Sequence, residues 1–236
     1  MSDAPPARCN LAIIVPVYGN AETVEELAER VRAALADCVP DYRLLFVVDA
    51  SPDASWSIVR KLSEQDPHNR SLLLEQNVGQ HRALLAGMAH VEAEYYAILD
   101  ADLQDPPELL GALLELARSR NETVFAIREG IYQSWSRMLT SRIFKGLLGL
   151  YVGLPANVGT CLVIPRAVSI SMLGFAGPHV HVVVMARCFS RAWRFLPYRR
   201  DVRESGQSAY SVRGRCKAAW AAIRCAWACR MRLPSR

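Results

Sequence analysis

The sequence predicts an α/β fold, a Rossmann-like and mostly parallel sheet flanked by helices, with a basic C-terminal subregion. Short apolar runs alternate with helix-period stretches through roughly the first half of the chain. Polar loops rich in Asp, Asn and Gly follow those runs, at the strand ends where open parallel sheets bind ligands. The charge then changes character: from Arg187 to Arg236 there are thirteen Arg and Lys against two acids, Asp201 and Glu204.

Each element has its own signal. "LAIIVPV" (11–17) is an apolar run of strand length, and 22–36 repeats at helical period. "RLLFVVD" (43–49), "SLLLEQ" (71–76), "YYAILD" (95–100) and "ETVFAI" (122–127) are the next strands. Between them fall helices over 55–64, 81–93 and 106–118. Farther on, 134–149 reads as a basic amphipathic helix and "CLVI" (161–164) as a strand. Residues 179–189 fit strand or helix, "RAWRFLPYRRDVRE" reads as extended, and 212–230 as a helix. With no repeat and no linker, residues 1–236 read as one domain. Its parts are a ligand-binding half (8–130), a second half (131–211) and a basic C-terminal helix (212–236).

The bulk numbers narrow the class. A chain of 236 residues that is 51% hydrophobic can bury a large core. No apolar run reaches membrane-spanning length, and "MSDAPPARCN" lacks the parts of a signal peptide, so a cytoplasmic protein is expected. Seven scattered cysteines (9, 38, 161, 188, 216, 225, 229) form no CxxC pair, which points to reduced thiols rather than a disulfide framework or structural zinc. The formal charge of +5 suits an anionic partner. A phosphorylated ligand or anionic membrane fits it, and no nucleic-acid fold signature favours a third option.

The chemistry concentrates in "YYAILDADLQDPPELL" (95–110). A strand ending in Asp100 and turning through Ala101 can aim Asp100 and Asp102 at one cation, with the amide oxygen of Gln104 in reach. Mg2+ or Mn2+ takes such oxygen ligands and completes its shell with substrate phosphates. A solvated loop is the plainer alternative. Asp105, followed by Pro106, Pro107 and Glu108, reads as the N-cap of the next helix. No GxGxxG follows the first strand, against a dinucleotide fold, and "VPVYGNAE" is not the glycine-rich loop of a pyrophosphorylase. Metal-assisted transfer from a nucleoside-diphosphate donor remains.

Five motifs in order, "VPVYGNAE", "VVDASPDAS", "QNVGQHRALLAGM", "DADLQDPPE" and "RESGQSAYS", resemble family 2 glycosyltransferases over nearly the whole chain. The likeness is strongest to the dolichyl- and polyprenyl-phosphate sugar transferases. It implies a GT-A fold and inverting transfer of a sugar from a nucleoside diphosphate sugar. By that resemblance Pro16, Tyr18, Glu22 and Asp49 line the base and ribose pocket, and Asn77 and Gly79 pass under the nucleotide. Asp100, Asp102 and Gln104 hold Mg2+ or Mn2+ on the diphosphate. An Asx turn with Ser51 and Asp53 is the alternative for Asp49, and His81 and Arg82 open a helix facing solvent. Relatives often have a second acid where Val48 stands and an aspartate where Asn157 stands.

A polyprenyl phosphate is already anionic near neutral pH, so it needs cationic positioning rather than a base. Arg128, Arg142, Arg203 and Ser208 are the candidates, with Gly206 letting the last loop fold closely. Catalysis would rest on Asp102 and Arg203. A soluble hydroxyl acceptor would instead need a base, for which His179, His181 and Asp201 come into question. A noncatalytic sugar-nucleotide binder is the third reading. In 212–230, Trp220, Ile223 and Trp227 share a helical face beside Arg213, Lys217 and Arg224. Such a ridge suits peripheral contact with the inner face of an anionic membrane, or docking on the domain's own core.

Overall fold

Alternating apolar runs and helices build a seven-stranded sheet covered on both faces. The computed structural model describes residues 8–129, 149, 152–155, 157–199 and 212–232, with side chains for 220–231 of the last stretch. The strands are β1 (Cys9–Val17), β2 (Tyr42–Asp49), β3 (Asn69–Leu74), β4 (Ala93–Ile98), β5 (Thr123–Glu129), β6 (Val158–Pro165) and β7 (Trp193–Arg199). Their order is β3-β2-β1-β4-β6-β5-β7. β1 pairs in parallel with β2 and β4, β2 with β3, and β5 with β7, while β6 runs antiparallel between β4 and β5.

A strand buried on both faces has no solvent side to mark with polar residues, which is why β1 and β2 read as continuous apolar runs. Their side chains still alternate. Ile14, Leu45 and Val47 face one helical layer, and Ile13, Val15, Leu44 and Phe46 the other. The second layer is α1 (Val24–Leu35), α2 (Ser55–Gln65) and α4 (Leu109–Arg120), with Val24, Leu27, Val31 and Leu35 of α1 inward at helical spacing. The first is α3 (Gln80–His90), α5 (Arg166–Leu173), α6 (Val182–Phe189) and α7 (Val212–Arg232).

One open reading closes and one expectation changes. Residues 182–189 are helical, and His181 before them is extended. The helix expected over 106–118 begins only at Leu109, because Pro106 and Pro107 form a turn whose carbonyls accept the N–H groups of Leu109 and Leu110 at 3.2 and 3.0 Å. Asp105 is therefore not an N-cap. Most of 134–149 with Arg142, and Asp201, Arg203, Gly206 and Ser208, lie outside the described residues.

α7 buries Ala222, Cys225, Ala226 and Cys229 against the first layer. Its opposite face carries Trp220, Trp227 and Met231, exposed by 62%, 59% and 70%. The tryptophan ridge therefore faces away from the core. No described helix is long and apolar enough to cross a membrane.

Candidate functional site

The carboxyl ends of β1, β2, β3 and β4 bring four polar loops together. After β1, Pro16 is half-buried, Tyr18 is 55% exposed and Glu22 is exposed at the approach to α1. Gly19 N–H donates to Ser51 Oγ (2.8 Å) and Ala21 N–H to Asp53 Oδ2 (3.0 Å), so the loop after β2 holds the loop after β1. Asp53 also accepts from Ser51 Oγ (2.6 Å) and Ser55 N–H (3.1 Å). Partial burial opposes its charge, but these hydrogen bonds hold its carboxyl well below the usual range. Asp53 organises the turn at Ser51 and Ser55, and the Asx turn that was the alternative for Asp49 is built around Asp53 instead.

Asp49 does something else. It ends β2 at 3% exposure, with Oδ1 accepting from Val78 N–H (2.8 Å) and Oδ2 from Gly79 N–H (2.9 Å). Asn77 Nδ2 donates back to the Asp49 carbonyl at 3.3 Å. The carboxylate thus fixes the turn into α3, where Gly79 has φ +86°, a conformation an L side chain rarely takes. Ala50, next to Asp49, is also left-handed at φ 50°. Such strain persists only where surrounding bonds over-determine it, and it clusters at functional loops.

The fourth loop, after β4, carries the acidic cluster. Asp100 Oδ1 accepts from Gln80 Nε2 and Oδ2 from Thr160 Oγ1, both at 2.7 Å. Burial pushes the Asp100 carboxyl up to about 6, and the charges of Asp102 and Asp105 push the same way against the Thr160 hydrogen bond and Arg128. The next carbonyl, of Ala101, accepts from Thr23 Oγ1 of the α1 approach at 2.5 Å. Among the described residues, Asp102 Oδ1 accepts from Gln104 N–H within the same loop (3.2 Å), across Leu103 at φ 57°. The side chains of Asp102 and Gln104 are half-buried, and among the described residues neither is tied to another element.

Asp105 is 1% exposed. Its oxygens accept from Nε (3.3 Å) and Nη2 (3.0 and 3.1 Å) of Arg128 and from the Tyr198 hydroxyl. Arg128 Nε also donates to Tyr198 Oη at 3.0 Å. Arg128, expected to meet an acceptor, thus has these nitrogens on a neighbouring strand and loop. Asn157 Nδ2 caps the Arg128 carbonyl at 2.8 Å.

The donor set fits a hard divalent cation. Asp100, Asp102 and Asp105 lie close enough for their charges to repel, and among the described residues Asp105 alone of the three forms an ion pair. Carboxylate and amide oxygens suit Mg2+ or Mn2+. Among the described residues no three His, Cys, Asp or Glu side chains form a metal cage, so a cation here would rely on substrate oxygens for much of its shell.

The histidines depart from expectation. His81 does not face solvent: its ring lies 4.2 Å from that of His181, and its Nδ1 accepts from Val182 N–H at 3.4 Å. Burial lowers His81 to about 4 and His181 to about 3. A ring that burial holds this far toward its neutral form is a weak general base, which counts against His181 in that role. His179 is half-buried before α6.

Residues 12–173 match the family model for glycosyl transferase family 2. The chain is 32% identical over 209 residues to undecaprenyl-phosphate 4-deoxy-4-formamido-L-arabinose transferase of Edwardsiella ictaluri, covering 86% of this chain and 63% of that protein. It therefore spans less than two thirds of the length of that relative. Glucosyl-3-phosphoglycerate synthase from Mycobacterium tuberculosis, solved with Mn2+, UDP and phosphoglyceric acid, superposes with a TM-score of 0.67 at 16% identity, over 96% of this chain and 80% of that one. Mannosyl-3-phosphoglycerate synthase from Rubrobacter xylanophilus gives 0.60 at 16% identity, over 95% and 74%. At this identity the two structures speak to fold, which is GT-A.

Proposed function

Because the chain belongs to glycosyl transferase family 2, we propose that it transfers a sugar, with inversion, from a nucleoside-diphosphate sugar to a polyprenyl phosphate. The observation that carries this reading is the convergence of Asp49, the 77–79 turn and the Asp100–Gln104 loop on one edge of a parallel sheet. The 32% identity to an undecaprenyl-phosphate sugar transferase favours the lipid phosphate as acceptor. In this reading the chain works as one domain, since the sheet draws β1–β5 from the donor half and β6 and β7 from the acceptor-side half.

Pro16, Tyr18 and Glu22 border the nucleoside, and Asp49 shapes the Asn77–Gly79 turn beneath it. Asp100, Asp102 and Gln104 would hold Mg2+ or Mn2+. Such a cation, when bound, would supply positive charge to offset that on the departing nucleoside diphosphate. An acceptor phosphate oxygen forms the new bond at the anomeric carbon while the bond to the diphosphate oxygen breaks, and the nucleoside diphosphate leaves with the electron pair. The attacking oxygen carries no proton at neutral pH, in keeping with a buried histidine pair unsuited to base work. Arg203, Arg142 and Ser208 grip the acceptor phosphate, whereas Arg128 serves the loop through Asp105.

The outward Trp220, Trp227 and Met231 support contact with the inner membrane surface, where the acceptor resides. Residues 212–232 hold six Arg and Lys and no acid, which suits an anionic leaflet. The test is to incubate the protein with undecaprenyl phosphate, Mn2+ and a panel of labelled nucleotide sugars. One sugar should move into the lipid fraction and stop moving in EDTA. Transfer confined to soluble hydroxyl acceptors, or binding without turnover, would overturn the reading.

A further inference from the structure

The loop that carries Asp102 is pinned on both sides of it. Upstream, Gln80 and Thr160 hold the Asp100 carboxylate and Thr23 holds the Ala101 carbonyl. Downstream, the pin is Asp105. Between the pins lie Leu103, in a left-handed conformation, and the side chains of Asp102 and Gln104. A left-handed leucine does not hold its geometry alone; it needs fixed ends.

Three strands build the downstream pin. Arg128 and Tyr198 are register partners on β5 and β7, so their side chains leave the sheet on the same side, where both reach Asp105. β6 contributes by omission. A Cβ built on Gly159 would stand 2.9 Å from Arg128 Nη2 and 3.2 Å from Cζ, so the guanidinium crosses the space that a side chain there would fill. Burial, with Asp105 beside it, pushes the Tyr198 phenol far up, so the hydroxyl stays a donor. Asp105 receives a rigid fork and a hydroxyl, more than a surface aspartate needs.

We propose that Asp105, Arg128, Tyr198 and Gly159 form a positioning clamp that sets Asp102 and Gln104 for the cation, without touching it themselves. The inference rests on the metal reading above, but not on the identity of sugar or acceptor. Groups that orient metal ligands from the outer shell typically change metal affinity by about 10- to 100-fold when altered. The clamp should behave in the same way.

Tyr198→Phe removes one hydroxyl and keeps the ring. Gly159→Ala displaces the guanidinium from a strand that carries neither Asp102 nor Gln104. Free Mn2+ is counted by electron paramagnetic resonance during titration of each purified full chain saturated with UDP, whose diphosphate completes the cation's shell, with UDP binding in EDTA and thermal melting measured in parallel. Both variants should weaken Mn2+ binding by about 10-fold or more, while UDP affinity in EDTA stays within about twofold of wild type. Lower melting temperatures with superimposed Mn2+ titrations would overturn the clamp and leave a structural ion pair. Equal loss of Mn2+ and metal-free UDP binding would also overturn it, since the whole site would then have shifted. Failure of lipid transfer by a wild-type chain whose Mn2+ binding still responds to both variants sinks the acceptor assignment and supports the clamp. A wild-type chain that takes up no Mn2+ sinks both.

Discussion

Two regions of this molecule bury titratable groups in opposite ways. At the carboxyl edge of the sheet, amide, hydroxyl or guanidinium donors surround the carboxylates of Asp49, Asp53 and Asp105, the surroundings in which a buried group can carry charge. Beneath α6 and α7, His81 and His181 lose theirs: the rings pack on each other, and burial holds both neutral. The difference follows from what lies nearby. Loop backbones supply many free N–H donors, whereas a helix has spent its own within its turns. A site that must retain negative charge is better built from loops, and a supporting layer tolerates polar side chains only in neutral form.

The sharpest break of that contrast is Asp102→Asn. It should lower transfer by more than the about 100-fold typical of an outer-shell change while leaving the melting curve at its wild-type position. Wild-type turnover, or turnover that survives EDTA, would remove Asp102 from the cation.

Asp105→Ala comes next, with a stability cost. It strands Arg128, whose side chain keeps 26% of its surface exposed, so about 3 kcal/mol is expected, the low end for a broken buried pair. Loss of a helix cap alone would cost about 1 kcal/mol. Urea unfolding separates the two.

The histidine layer makes the contrast depend on pH. Folded His81 and His181 titrate near 4 and 3, below the ordinary 6.5. As pH falls below about 6.5 the unfolded chain binds protons that the folded chain refuses, so stability drops by up to about 1.4 kcal/mol per unit for each ring, and above that range there is no effect. Asp100 works against this trend: with its carboxyl at about 6, it favours the fold at low pH and loses that contribution as pH rises through 6. His181→Phe should therefore flatten the fall in melting temperature between pH 6.5 and 4 relative to wild type. Parallel curves would mean that the ring is protonated in the fold.

The smallest effect on the fold should come from the outer face of α7. Trp220→Ala with Trp227→Ala should change stability by no more than about 0.5 kcal/mol, as surface positions do. Sedimentation with anionic liposomes at low salt should nevertheless fall away. A double variant that sediments like wild type would refute the membrane contact.

Legibility followed the range of the interactions. The spans of β1, β2, β4 and β5, and the gathering of their loops, could be read because strand burial and turn chemistry are written in neighbouring residues. Asp105 was misread as a cap because its partners, Arg128 and Tyr198, are far along the chain and nothing near "QDPPE" announces them. The bonds from Val78 and Gly79 N–H to Asp49 are hidden for the same reason: those donors lie one crossover away. "HVVVMARCF" is as apolar as a strand, and only packing against α7 and α5 makes it a helix. The pairing of His81 with His181 left no trace in spacing.

The antiparallel placement of β6 also has a consequence for how the chain is made. β4 ends at Ile98, yet its outer neighbour begins only at Val158, and β5 has no partner until β6 and β7 exist. As the chain emerges from the ribosome, β1 to β4 can assemble early, while the outer edge of β4 and both edges of β5 wait. An apolar strand waiting in that way is a template for pairing with another chain. A chain halted after Glu129 would keep the donor-side loops and still be insoluble, because Val124, Phe125 and Ala126 would have no sheet to enter.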